Sequence, residues 1–246
     1  MMGEEAYARA RKIGLKEYHN RMQRRQNPFL PVLEEIDERL NALSHVPLGL
    51  VQIPLKKVVG TASKGRTNAF AANFMPLLES GTEFGMKWNT LYDSVVEDGL
   101  RQPVKAFEYL NKYYLIEGNK RVSVMKWMNA CDIEADVTRV VPERNGTPEN
   151  DAYFEYCDFT RETKLYGLLF SHPGSYERLT SIPGVREGDT WKQDEIMSLK
   201  KLFHYFTSAY HSVIRDPHAP GAGDAFLSYL LAFGYTDVKD DNLEET

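Results

Sequence analysis

Residues 112–127, KYYLIEGNKRVSVMKW, decide the fold. Tyr113-Tyr114-Leu115-Ile116 is a β-rich run. It stops at Glu117-Gly118, and Asn119-Lys120-Arg121 opens a helical stretch. A strand that hands over to a helix across a glycine leaves the first helical N–H groups without intrahelical acceptors, at the positive end of the helix dipole. Anions bind at such places. Gly118 permits close approach of a backbone, Asn119 can cap or donate, and Lys120 and Arg121 add charge. A guanidinium can grip a phosphate through two parallel hydrogen bonds. The competing reading is a surface turn with two solvated cations beside Glu117, and the residues leave both open.

Working outward, PVKAFEYL (103–110) precedes the run, with Asn111 between them, which predicts a β-hairpin. Residues 85–98 read as a helix with Gly99 as its cap. Upstream, LVQIPLKKVVG (50–60) reads as strand or extended chain, and GTASKGRTNAF (60–70) as a cationic loop. Downstream, IEADVTRVVP is a further strand ended by Pro142. Strand, helix, hairpin, helix and strand in that order predict a compact α+β unit over residues 48–142.

The flanks are helical. Residues 4–25 have a helical composition, with Tyr7, Ala10, Tyr18 and Met22 on one side. Residues 31–44 predict an amphipathic helix with Leu33, Ile36, Leu40 and Leu43 on its seam, so 1–47 reads as a helical arm. PERNGTPEND (142–151) reads as a linker into a mainly helical region, 143–246. There Ile196, Leu199, Phe203, Phe206, Tyr210 and Val213 recur every three or four residues. That seam either faces a core or pairs with a second copy. Asp224 is expected to cap a last helix, and the acidic end reads as the start of another helix, as in the front part of a longer chain.

The 246 residues carry a net charge of −5 with 42 % hydrophobic residues, an ordinary globular balance. No run is long enough to span a bilayer, and MMGEEAYARARK has no apolar core of a secretory signal. Cys131 and Cys157 stand alone, which fits a reducing compartment; a cytoplasmic location is expected. Residues 1–25 are net +4, whereas 143–246 are net −8. A duplex-DNA binder needs a concentrated basic face, and only Arg9, Arg11, Lys12, Arg21, Arg24 and Arg25 approach one. Nucleic acid is therefore a minority expectation among partners, and no membrane partner is expected.

Two other stretches invite a phosphate. Gly60-Thr61-Ala62-Ser63-Lys64-Gly65-Arg66-Thr67 falls one residue short of GxxxxGK followed by Ser or Thr, and the mismatch removes the lysine that such a loop needs. It reads as a cationic loop helping the first site. Gly221-Ala222-Gly223-Asp224-Ala225-Phe226 matches the GAGDxF signature of ribokinase-type sugar kinases. The residues before it follow another pattern, so an ordinary helix start is the reading. The six histidines show no metal spacing, and no nucleophile motif is present.

With these elements placed, residues 48–142 resemble a ParB/sulfiredoxin-type domain. The matching residues are Ile53-Pro54 leading to Arg66, Ser94 and Gly99 before Pro103-Val104, the hairpin, Glu117-Gly118-Asn119-Lys120-Arg121, Val124 and the closing strand. The whole chain resembles bacterial proteins in which such a domain, with helical flanks, precedes a periplasmic-binding-like module. In the superfamily the glycine-to-arginine junction binds nucleotide phosphates: CTP in ParB proteins, ATP in sulfiredoxins, adenine nucleotides in a free-serine kinase. The resemblance implies a phosphate cradle of Gly118, Asn119, Lys120 and Arg121, with Arg66 as a second contact. It also makes Glu117 a candidate general-base or metal carboxylate, with Mg2+ as the metal.

The departures narrow this. Sulfiredoxins carry a nucleophilic cysteine where Asn119 and Lys120 stand, and ParB proteins place a glutamate where Asn119 stands and add a basic helix-turn-helix that is missing here. The resulting expectation is a nucleotide-binding module (CTP or ATP/ADP), with kinase or nucleotide hydrolase activity left open. The alternatives are an interaction module with a vestigial pocket, forming homo-oligomers through the 196–213 helix, and a ParB-like DNA-binding regulator.

Overall fold

The computed structural model describes residues 2–65, 67–214 and 219–236. It falls into two compact units, Met1–Glu143 and Arg144–Thr246.

In the first unit α1 (Met2–Gln23) precedes a short α2 (Leu33–Ile36), then β1 (Ser44–Pro54), β2 (Val58–Thr61) and α3 (Glu83–Asp98). The hairpin β3 (Val104–Tyr109) and β4 (Lys112–Glu117) leads into α4 (Asn119–Trp127), and β5 (Asp132–Val141) closes the unit. The five strands form one mixed sheet in the order β1-β5-β3-β4-β2. β1 with β5 and β3 with β4 run antiparallel, while β3 with β5 and β2 with β4 run parallel. The expected α+β class, hairpin and 48–142 strand and helix order are all present. β1 starts earlier than expected, at Ser44. It is an edge strand, and Pro47 with a bulge to Gly49 blunts that edge.

Strand periodicity builds the core. Val104 and Ala106 pair in register with Ala135 and Val137, and all four are buried with Leu115, Val122 and Val124 in one cluster. Trp88 of α3 is fully buried at the centre of the helical side. Its indole N–H donates to Ser123 Oγ of α4 at 2.9 Å, and its ring meets Tyr7 of α1 edge-on at 5.3 Å. One side chain thus ties three helices together. α1 follows the expected face at Tyr7 and Ala10, but Met22 is exposed near its end.

A smaller cluster joins Leu33, Leu40, Tyr109, Tyr114 and Val140. It explains why the helix expected over 31–44 does not form. After a single turn at Leu33–Ile36 the chain extends at Asp37, and a 3-10 turn follows at Leu40–Ala42. The Asp37 carboxylate accepts the Tyr109 hydroxyl at 2.8 Å and the Arg39 N–H at 3.0 Å. Side chain to backbone bonds of this kind compete with a helix. Leu33 and Leu40 reach the cluster, while Ile36 is left exposed. Burial works against the Asp37 charge, but the Tyr109 hydroxyl and the Arg39 amide and guanidinium outweigh it and hold the carboxyl below its usual range.

The second unit is helical: α5 (Pro148–Thr163), α6 (Ser175–Thr180), α7 (Gln193–Val213) and α8 (Ala222–Phe233). Thr147 caps α5, with Pro148 at its first turn. The α7 seam is buried at Ile196 and Leu199, and Phe203 and Phe206 meet Phe226 of α8 as tilted rings at 5.2 and 5.3 Å. It runs out into solvent at Val213, 76 % exposed. Asp224 does not cap α8. Gly221 holds the cap position, and Asp224 Oδ1 accepts the Ser171 N–H at 2.9 Å. The acidic end, 237–246, lies outside the described residues.

Candidate functional site at the start of α4

The hand-over from β4 to α4 is built as the residues require. Gly118 adopts a left-handed conformation (φ +105°), and no side chain caps the helix. A Cβ at Gly118 would lie 2.6 Å from Val104 Cγ1, so the glycine is demanded by packing as well as by φ. The first-turn amides of α4 have neither an intrahelical acceptor nor a side-chain cap.

In front of this turn lies a cleft of about 450 Å³. Gly118, Asn119, Lys120 and Arg121 all line it, together with Glu117. Four of the five junction residues named from sequence are half-buried and Glu117 is exposed. Phe70, Phe84 and Leu91 supply the apolar lining, and Lys87 and Gln102 add polar groups. Lys120 Nζ stands 5.3 Å over the Phe84 ring, and Lys87 pairs with Glu83 at 2.5 Å.

Arg121 has a structural task. Its side chain is only 13 % exposed, and Nη1 donates to the carbonyls of Pro103 at 2.6 Å and Gln102 at 3.2 Å. Nη2 donates to Glu117 Oε1 at 2.7 Å. The guanidinium therefore staples the first turn of α4 to the chain entering β3, and Glu117 balances its charge. Three of its five N–H donors are engaged in these bonds. Asn119 shows the opposite: its Oδ1 is buried with no hydrogen-bond partner, a costly state for a polar atom.

Arg66, expected as a second phosphate contact, lies outside the described residues. The rest of its loop does not form a phosphate cradle. Gly60 sits inside β2, where a Cβ would lie 2.2 Å from the Pro31 carbonyl oxygen, and Lys64 pairs with Glu35 at 2.8 Å. Phe84, Lys87, Leu91 and Gln102 were not expected from sequence. For two of them a signal was available: Lys87 and Leu91 share one face of the predicted 85–98 helix, four residues apart, whereas Phe84 lies just before its predicted start.

Among the described residues, no group of three His, Cys, Asp or Glu side chains could hold a metal ion, and no helix is long and apolar enough to cross a membrane. Glu117 is the one carboxylate among the cleft residues.

No protein-family model and no curated protein matches the chain. Among solved structures it is similar to sulfiredoxin from Arabidopsis thaliana, at 23 % identity over 41 % of this chain and 89 % of that one, with a TM-score of 0.25. It is also similar to a Pnob8-like ParB-N domain in its C2221 form, at 14 % identity over 69 % of this chain, with a TM-score of 0.25. This chain spans half the length of that domain's chain. The site stands on its own geometry.

Proposed function

We propose that the turn Gly118–Arg121 holds the phosphates of a nucleoside di- or triphosphate, CTP or ATP/ADP, bound with Mg2+. The observation that carries this reading is the uncapped start of α4 opening onto a cleft that also receives Lys87 and Lys120. Its volume of about 450 Å³ falls in the range of small-ligand sites. The unpartnered Asn119 Oδ1 asks for a donor, which a ribose hydroxyl or base amino group supplies.

Charge arithmetic brings in the metal. Lys87, Lys120 and Arg121 face Glu83 and Glu117, so the five side chains leave the cleft about one positive charge. A triphosphate needs more, and Mg2+ typically binds through one or two carboxylates together with substrate phosphates. Glu117 is the residue that would hold it. Moving that carboxylate to a cation would release Arg121 Nη2 toward a phosphate oxygen. When bound, Mg2+ would offset charge on the phosphate oxygens, and transfer or hydrolysis of a phosphoryl group would rest on that and on positioning.

Binding of CTP, ATP, ADP and GTP to the full chain, with and without Mg2+, tests this by calorimetry and thermal shift. Lys120→Glu is expected to weaken nucleotide binding at least tenfold with little change in melting temperature, because the staple made by Arg121 is left in place. Absence of binding by all four at millimolar concentration, in folded protein, overturns the proposal.

The 196–213 helix supports a second reading, self-association, because Val213 on α7 and Phe233 on α8 are 76 and 77 % exposed. Sedimentation of the chain and of Val213→Glu measures it: a shift from dimer to monomer supports the reading, and a monomer in both removes it. A nucleic-acid surface on α1 has weaker support. Arg9, Arg11 and Arg21 are engaged with Glu5, Glu79 and Glu17.

A further inference from the structure

The second unit contains a pocket of about 240 Å³ where the end of α5 meets α7. Its apolar lining comes from Leu165 and Leu168, both buried, and from Phe203, whose ring packs at a tilt against Phe226. A cavity of about 150 Å³ takes up benzene, so this one has room for one ring with substituents.

The polar groups around it are unusual for their setting. Residues 143–246 are net −8, yet Lys164, Lys200 and His204 all line this pocket. Neither lysine forms a salt bridge among the described residues. Lys164 also occupies the left-handed position (φ +58°) that ends α5, where glycine is the usual residue. Local backbone preference does not account for a lysine there.

Thr207 provides a second, independent sign. Its Oγ1 is buried without a partner. Helical Thr160, Thr163 and Ser208 each donate to the carbonyl four residues back, at 2.8, 2.8 and 3.0 Å. Thr207 lines the pocket and does not do so. Lys200 and Thr207 are seven residues apart on α7, so they share a face about 10 Å apart along the axis.

We propose that this pocket binds a small aromatic carboxylate bearing a hydroxyl at its far end. The carboxylate lies with Lys164 and Lys200, the ring lies on Leu165, Leu168 and Phe203, and the hydroxyl meets Thr207.

Ligand-observed NMR and calorimetry on the full chain test it with 4-hydroxyphenylacetate, phenylacetate and the neutral 4-hydroxyphenylacetamide. The first is expected to bind most tightly and the amide at least tenfold more weakly. Lys164→Gly relieves the left-handed strain, so it is expected to hold or raise the melting temperature while weakening the carboxylates about tenfold. Lys200→Met is expected to act alike on binding. Thr207→Val is expected to weaken 4-hydroxyphenylacetate and leave phenylacetate unchanged. Equal binding of acid and amide, or carboxylate binding that survives both lysine substitutions, overturns the proposal. So does the absence of saturable binding by all three probes at millimolar concentration. An equal effect of Thr207→Val on both acids overturns the hydroxyl contact.

Discussion

Among the described residues three helices, α4, α6 and α8, begin at a glycine, and the starts of α4 and α8 behave in opposite ways. At α4 the glycine is followed by Asn119, Lys120 and Arg121, no side chain caps the turn, and a cleft lies in front of it. At α8 the turn carries its own anion: Asp224 receives the Ser171 N–H, and a Cβ on Gly223 would lie 1.9 Å from the Leu169 carbonyl oxygen. One glycine-led helix start is open and cationic, the other closed by packing and acidic. A glycine beside a helix N-terminus therefore says nothing about anions until its neighbours are known. Glycine leaves room for a close neighbour in both places, the Val104 side chain at Gly118 and the Leu169 carbonyl at Gly223, and the charge and the space decide the rest.

The strongest way to break this comparison is Gly223→Ala. Elsewhere in a helix that change stabilises by about 1 kcal/mol. Here the new methyl meets backbone that cannot yield locally, and a loss of about 3 kcal/mol is expected, read as faster amide exchange in α8 while the sheet of the first unit is unchanged. Gly118→Ala is expected to cost about 2 kcal/mol, from the left-handed φ and the Val104 contact, with loss of protection in α4 and β3. A variant with unchanged stability would show that the β4–α4 turn can relax around the added methyl.

Asp224→Ala sharpens the contrast at smaller scale. Removing one exposed hydrogen bond and a carboxylate in the first turn is expected to cost about 1 kcal/mol in chemical denaturation. The smallest effect lies at the far ends of the two helices. α8 has no basic residue in its last turn, whereas α4 has Lys126, whose Nζ donates to the Val58 carbonyl at 2.9 Å and stands 4.9 Å over Phe74. Burial pushes Lys126 down to about 8. Burial, aided by the Lys56 charge and opposed by Glu108, brings Lys57 to about 8 as well. Between that value and the ordinary lysine range the unfolded chain binds more protons than the folded one, so these groups make stability rise with pH from about 8 to about 10. Tyr7 and Tyr109, raised by burial to about 12, act in the other direction above pH 10, because the unfolded chain loses those protons first. Melting temperature against pH is expected to climb by a few degrees and then fall, and Lys126→Met should flatten the climb.

Much of the first unit was legible because its signals are local. The Asn111 hairpin, the Gly99 helix end, the alternation of Ile133, Ala135 and Val137, and the Glu117–Arg121 junction all rest on residues close in sequence. The 31–44 helix was misjudged because its seam was periodic while a distant hydroxyl, Tyr109, claimed Asp37. Asp224 was misplaced for the same kind of reason, its acceptor atom being taken by Ser171 far along the chain. At the candidate site the sequence named the residues of the turn, whereas Phe84, Lys87 and Leu91 come from α3 and Phe70 from the loop before it.

Chain order, the α+β class of the first unit, the helical character of the second and the cluster of cations at 120–121 were determined by the amino-acid sequence alone, since propensity, periodicity and turn chemistry act over a few residues. Tertiary structure alone decided that Arg121 is stapled to Gln102, Pro103 and Glu117, that Asn119 Oδ1 and Thr207 Oγ1 are buried without partners, and that a cleft opens at α4 and a pocket beside α7. Partners and cavities are properties of groups brought together across long loops, and no spacing along the chain encodes which surface will be left unfilled.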